Sequence, residues 1–223
     1  MKRIYEDENL IAIDKPAGIV VYPNLIKELF KKFPYLKNVG RAPRYGIVHR
    51  LDKETSGILL IAKNNKALDF FQSQFKARQV EKKYLALVVG EIRENQGIIK
   101  TLIGRSKKDG KKQKIYLPGS PDSKGKRKAI TQYRVLEKFK DYTLIEVQIK
   151  TGRKHQIRIH FAGILHPVAG DKVYGFKNQP KPKGLERQFL HANYLKITLP
   201  SGEIKEFKSR LPDELEKVLK NLN

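Results

Sequence analysis

The 223-residue sequence has no cysteine and no tryptophan. Without thiols it forms neither disulfides nor cysteine-based zinc sites. No run approaches the roughly 18 apolar residues of a membrane span. Met1 to Glu8 turns acidic at once and lacks the apolar core of a signal peptide. These absences fit the cytoplasm. Acidic residues are few beside basic ones, 23 against 47, leaving a net charge of +24. Enrichment of the thermophile kind would raise both signs together. A two-to-one excess of base instead points to a polyanion, which is RNA, DNA or an anionic membrane surface. No basic amphipathic helix argues for a membrane, so nucleic acid is favoured.

What is present suffices for a folded core. Hydrophobic residues make up 39% of the chain, and its length fits one large domain or two small ones packed together. Arg3 to Tyr5 and Leu10 to Asp14 read as strands, Lys15-Pro16-Ala17-Gly18 as a breaker, and Ile19 to Tyr22 as a third strand. Asn24 is placed to cap a short helix carrying Leu25, Leu29, Phe30 and Phe33, which Pro34 ends. Residues 35 to 46 are basic and loop-like. Gly57 to Ala62 reads as a buried strand. Asn64 then caps a helix whose face is Ala67, Leu68, Phe71 and Phe75, ending near Ala77. Val80 to Ile92 reads as a long strand. Residues 105 to 128 are rich in Lys, Arg, Gly, Pro and Ser, and read as an exposed basic loop or hairpin that touches phosphates. Ala129 to Glu137, Tyr142 to Lys150, Phe189 to Leu199 and Glu203 to Phe207 read as strands, and Pro212-Asp213-Glu214 starts a last helix. Strands outnumber helices and mostly join by turns. That predicts an α+β fold with a mixed, mostly antiparallel sheet.

Asp52 is the candidate reactive group. It lies in the polar stretch His49-Arg50-Leu51-Asp52-Lys53-Glu54-Thr55-Ser56-Gly57, between apolar Ile47-Val48 and Ile58-Leu59-Leu60-Ile61. A carboxylate held between rigid segments and facing cations can stay ionised and be aimed. Asp is also common in turns for purely local reasons. Other chemistries find little support. His155 and His160 are five apart and do not share a helix face as zinc spacing requires. No phosphate-cradling glycine loop and no nucleophile elbow is evident. A two-carboxylate glycosidase needs a partner acid and a metal nuclease needs acidic ligands, and neither cluster is present.

Taken together the segments carry a resemblance. His49 to Gly57 resembles the catalytic motif of the RluA family of pseudouridine synthases. Lys82-Lys83-Tyr84-Leu85-Ala86-Leu87-Val88 is similar to that family's tyrosine motif. Thr151 to His160, followed by His166-Pro167 and Gly170-Asp171-Lys172-Val173-Tyr174-Gly175, resembles its third motif, and Leu190-His191-Ala192 a further element. Order and spacing match along essentially the whole chain. Many relatives carry a small RNA-binding module before the catalytic domain. Here the family's opening strands start almost at Met1, so that module is expected to be absent, with residues 1–223 a single catalytic domain.

The resemblance implies a mixed, mostly antiparallel curved sheet in two halves, with flanking helices and the active site in the cleft between the halves. It implies Asp52 as the essential aspartate, Tyr84 against the target uracil where it helps remove the carbon 5 proton, and Arg158 paired with Asp52. RNA is the implied partner, ribosomal or transfer RNA. The protein is expected to act as a monomer, without a membrane, metal or cofactor. Uridine isomerisation suits these residue types: it breaks a carbon–nitrogen bond, makes a carbon–carbon bond, and needs an anionic group near the ribose and a dry pocket for a base taken out of its stack. Arg50, Lys107, Lys108, Lys111 and Lys112 are the candidate RNA contacts. A non-catalytic RNA-binding or ribosome-assembly factor on the same fold is the competing reading, and it would not need Asp52, Tyr84 and Arg158 together.

Overall fold

Apolar runs become covered strands, and polar caps and prolines mark where helices begin. The computed structural model describes residues 2–110 and 112–222. In chain order the elements are β1 (Lys2–Glu6), β2 (Leu10–Lys15), α1 (Ile26–Lys32), β3 (Ser56–Ala62), α2 (Asn65–Ala77), β4 (Glu81–Val89), β5 (Gln96–Arg105), β6 (Gln113–Tyr116), β7 (Arg127–Lys138), β8 (Tyr142–Ile149), α3 (Gln156–Gly163), β9 (Leu190–Thr198), β10 (Ile204–Lys208) and α4 (Asp213–Lys220). The chain divides into two compact units, Met1–Lys82 with His191–Arg210, and Lys83–Leu190 with Leu211–Asn223.

In the first unit β2 lies antiparallel to both β1 and β3, and β9 to β10. β3 runs parallel to β9, with Ser56 opposite His191 and Gly57 opposite Ala192. Every residue of β3 is buried, which explains its unbroken apolar sequence. Ala67, Leu68 and Phe71 are the buried face of α2. The Asn64 side chain accepts the Ala67 amide at 2.9 Å, which satisfies an otherwise unbonded helix N–H.

In the second unit β4, β8, β7, β5 and β6 pair in that order, all antiparallel. Leu215 and Val218 of α4 pack with Leu87, Tyr142, Leu144 and Phe189. The helix opens on Pro212 with acids in its first turn and ends with Lys217 and Lys220, as the helix dipole favours. The antiparallel pairings and the one parallel pairing among those described bear out the α+β, mixed, mostly antiparallel expectation.

Two local readings are corrected. Ile19 to Tyr22 is not a strand. Val21–Leu25 forms an irregular helical turn, closed by the Leu25 amide on the Val20 carbonyl at 3.1 Å. Pro23 has no N–H to give a ladder. Asn24 lies inside that turn and caps nothing, and Leu25 precedes α1 without a side-chain cap. The basic segment is entered by a strand, β5, that shows no clean alternation. Only Ile99 and Ile103 of it are buried, so its periodic signal is weak.

Candidate active site

Gly46 to Val48 runs beside β3. The Ala62 amide donates to Gly46 O at 2.7 Å and the Val48 amide to Leu60 O at 3.2 Å. His49 Nε2 accepts the Leu60 amide at 3.2 Å while its ring stacks on Phe75 at 4.8 Å and 18°. Burial, and next the Lys82 charge, push the His49 pKa down to about 3. A neutral ring is what an accepting Nε2 requires. The Lys82 ammonium lies 5.0 Å from the Phe75 ring centre, and burial lowers its pKa to about 8.

Leu51 then turns inward, Asp52 is half-buried, and the Thr55 amide closes the turn on Asp52 O at 3.2 Å. Lys15 supports this turn from beneath. Its ammonium is fully buried and donates to the carbonyls of Pro16 at 2.8 Å, Ile19 at 3.1 Å and Lys53 at 3.2 Å. Backbone acceptors thereby offset the cost of burying the charge. On the far side Ser56 Oγ lies 2.9 Å from His191 Nδ1, and His191 Nε2 lies 3.3 Å from Ser209 O. A carbonyl only accepts, so Nε2 carries the proton and Nδ1 accepts the Ser56 hydroxyl. Gly57 is required here. Its φ is +116°, and a Cβ would sit 2.3 Å from Ala192 O.

Tyr84 is on β4 opposite Val147, with 8% of its surface exposed. Arg158 is on α3. Nε donates to Asp171 Oδ2 at 2.7 Å and Nη2 to Oδ1 at 2.9 Å, with side-chain exposures of 7% and 0%. This two-pronged, charge-assisted pairing fixes direction as well as distance. Burial works against the Asp171 charge, but the Arg158 hydrogen bonds and charge, with the Val173 and Tyr174 amides, outweigh it and hold the carboxyl below the usual range. The guanidinium also lies 5.2 Å from the Tyr174 ring centre. Tyr174 Oη accepts the Gln113 amide at 2.9 Å and lies 2.9 Å from His155 Nδ1, which ties β6 to the third motif. Thr151, Arg153, Ile130 and Thr131 all bond the buried Gln156 amide, which sets the start of α3. His155 precedes the helix at φ 57°, at the N-cap position.

Of the candidate RNA contacts, Arg50, Lys107, Lys108 and Lys112 are exposed, and Lys111 lies outside the described residues. Lys107 pairs with Asp122, and Lys112 Nζ is 3.9 Å from Asp109. Among the described residues no His, Asp and Glu group could hold a metal, and no helix is long and apolar enough to cross a membrane. Three contributors had no role in the sequence reading. Asp171 and Tyr174 were visible only as motif letters, and Lys15 only as part of a strand breaker. A lone acid after Gly170 amid basic residues was the available signal for Asp171.

Two solved human structures share this fold. RNA Pseudouridylate Synthase Domain Containing 1 is 30% identical with a TM-score of 0.81, covering 95% of this chain and 83% of that one. RNA Pseudouridylate Synthase Domain Containing 4 is 27% identical with a TM-score of 0.81, covering 99% and 92%. The class is therefore that of the pseudouridylate synthase fold. The sequence profile of RNA pseudouridylate synthase matches residues 9–163. The chain is 42% identical to Ribosomal large subunit pseudouridine synthase D of Nitrosomonas europaea, over 98% of this chain and 64% of that protein. It is 40% identical to an uncharacterized RNA pseudouridine synthase of Aquifex aeolicus, over 96% and 71%. This chain thus spans less than two thirds of the Nitrosomonas relative's length. It belongs to the RNA pseudouridylate synthase family, as the resemblance to the RluA motifs predicted.

Proposed function

We propose that this protein isomerises a uridine to pseudouridine within structured RNA, with Asp52 as the essential group. The observation that carries the reading is the Asp52 turn: a half-buried carboxylate on a backbone held from beneath by Lys15 and flanked by buried Leu51 and Gly57. Such preorganisation is what a reacting group needs. Tyr84 takes the place against the uracil, and Arg158 is the cation that keeps the reacting carboxylate ionised. The glycosidic carbon–nitrogen bond breaks, a carbon–carbon bond to carbon 5 forms, the carbon 5 hydrogen leaves as a proton, and the freed ring nitrogen takes up a proton, so the product is an isomer of the substrate. The balance requires no oxidant, metal or cofactor.

Large-subunit ribosomal RNA is the proposed substrate, supported by the Nitrosomonas relative's name and by the +24 charge. Arg50, Lys108, Lys112, Lys107 and Lys111 are proposed phosphate contacts. The protein is proposed to act in the cytoplasm as a monomer, with residues 1–223 serving as one catalytic domain.

Asp52→Asn tests the reading. It keeps size and turn preference but removes charge and basicity. The variant should fold and bind RNA yet release no label from carbon 5, because phosphate contacts supply most of the affinity. Activity within about tenfold of the parent, near 1.4 kcal/mol of transition-state energy, would falsify the assignment. A melting curve and filter binding accompany the assay.

A further inference from the structure

A pocket of about 260 Å³ lies in the first unit, with Arg50 of the segment that leads to Asp52 in its lining. Val21, Ile47 and Val48 contribute an apolar, buried lining, at 6%, 4% and 8% exposure. His49, its ring stacked on Phe75, also lines it, and the other four lining residues differ in kind. Tyr22 is 48% exposed, and Pro43, Arg44 and Arg50 are exposed as well. Among the described residues Tyr22 has no ring partner, and neither Arg44 nor Arg50 makes an ion pair. An exposed tyrosine, an apolar floor and two unpaired guanidiniums match one chemical object: a flat base with an anionic phosphate. Bases stack on aromatic faces whatever their identity, and arginine serves both phosphate and base face. Drug-sized ligands fill roughly 300–1,000 Å³, so this volume suits a single base and not an oligonucleotide.

We propose that this pocket holds a second nucleotide of the RNA, unstacked from its strand while the target uridine is at Asp52. The proposal rests on the reading that RNA is the substrate. Arg50, the lining residue nearest Asp52 in sequence, precedes it by two positions, which extended backbone spans in about 7 Å. The occupant is therefore a near neighbour of the target on one strand. Taking two bases out of a duplex costs unstacking and unpairing twice, so the pocket selects loops and irregular segments over regular helices. Because the lining offers stacking rather than a set of base-edge partners, it selects by shape more than by sequence.

The experiment uses the full chain with Tyr22→Ala, Tyr22→Phe and Arg44→Gln. The first arm titrates adenosine 5′-monophosphate and follows the methyl resonances of Val21, Ile47 and Val48. Those resonances should shift saturably in the parent. Tyr22→Ala should weaken binding about 5- to 150-fold, the range base–aromatic stacking gives, and Tyr22→Phe should largely restore it. Arg44→Gln should weaken binding and lower its salt dependence. The second arm measures pseudouridine formation in a large-subunit rRNA transcript, where Tyr22→Ala should raise KM far more than it lowers kcat. Unchanged titration and unchanged KM in both Tyr22→Ala and Arg44→Gln would overturn the pocket while leaving the proposed reaction standing. A parent that turns over no RNA sinks the reaction itself and is seen before any variant is compared. The monophosphate titration still decides the pocket in that case, since shifts confined to other residues overturn it.

Discussion

Around Asp52 the backbone is held by shape and by carbonyl acceptors: the buried Lys15 ammonium, the β3 edge, and the close approach of Gly57 to Ala192. Around Arg158 the chain is held by an ion pair, an arginine against an aromatic ring, and one shared hydroxyl. Backbone carbonyls do not titrate and cannot be removed by a side-chain change. The carboxylate of Asp171 can be protonated, and it can be deleted. The two regions should therefore fail differently, the first to added bulk and the second to removal of the carboxylate charge.

The largest stability effect should come from Arg158→Ala, which leaves Asp171 buried without its counter-charge. Breaking such a pair costs on the order of 3–5 kcal/mol. Denaturant melts should show it, and the double change Arg158→Met with Asp171→Leu should recover much of the stability and none of the activity. A single variant as stable as the parent would show that the pair does not hold the loop.

Acid should come next. Burial lowers His160 from 6.5 to about 4, and its residue is fully covered. As pH falls below 6.5 the unfolded chain takes up this proton before the folded one. Stability is full above that point and declines by roughly 3 kcal/mol on reaching pH 4. His49, also lowered, adds to the decline. Asp171 acts below that window: its folded pKa lies under its usual 3.8, so its contribution drains as pH falls past that value. Melts of His160→Gln between pH 7 and 4 should show a shallower slope, and an identical slope would assign the loss elsewhere.

Gly57→Ala carries no charge change and should cost roughly 2–3 kcal/mol through strain at positive φ and the clash with Ala192. That loss should be the same at pH 5 and pH 8, which separates it from the acid effects. The smallest effect belongs to the basic hairpin. Neutralising Lys108 and Lys112 should lower the salt slope of RNA binding by roughly 0.7 to 0.9 for each phosphate whose bound lysine is removed. An unchanged slope would mean that these side chains are merely solvated.

Much of this was legible locally. The apolar run of β3 announced a buried strand, Asn64 announced the start of α2, and Pro212 with its following acids announced α4. The motif letters pointed to Asp52, Tyr84 and Arg158 as the candidates. Ile19 to Tyr22 misled because β-branched residues favour strands on average, while Pro23 bends this particular segment into a turn. The first strand of the basic hairpin was hidden because one face of it is wet and carries apolar Ile98 at 54% exposure.

The sequence alone determined most of the segments that fold into strands and helices, the excess of positive charge, and the reactive residue types. Each of these depends on a residue and its chain neighbours. Tertiary structure alone decided the partners: Arg158 with Asp171, 13 positions on; Ser56 with His191, 135 positions on; and Lys15 with the Lys53 carbonyl. It also decided that Tyr22 and Arg44 share one pocket. Contacts between distant segments depend on strand register, on the direction of each side chain and on how closely backbones approach. No local pattern carries that information, because it exists only once the segments have packed.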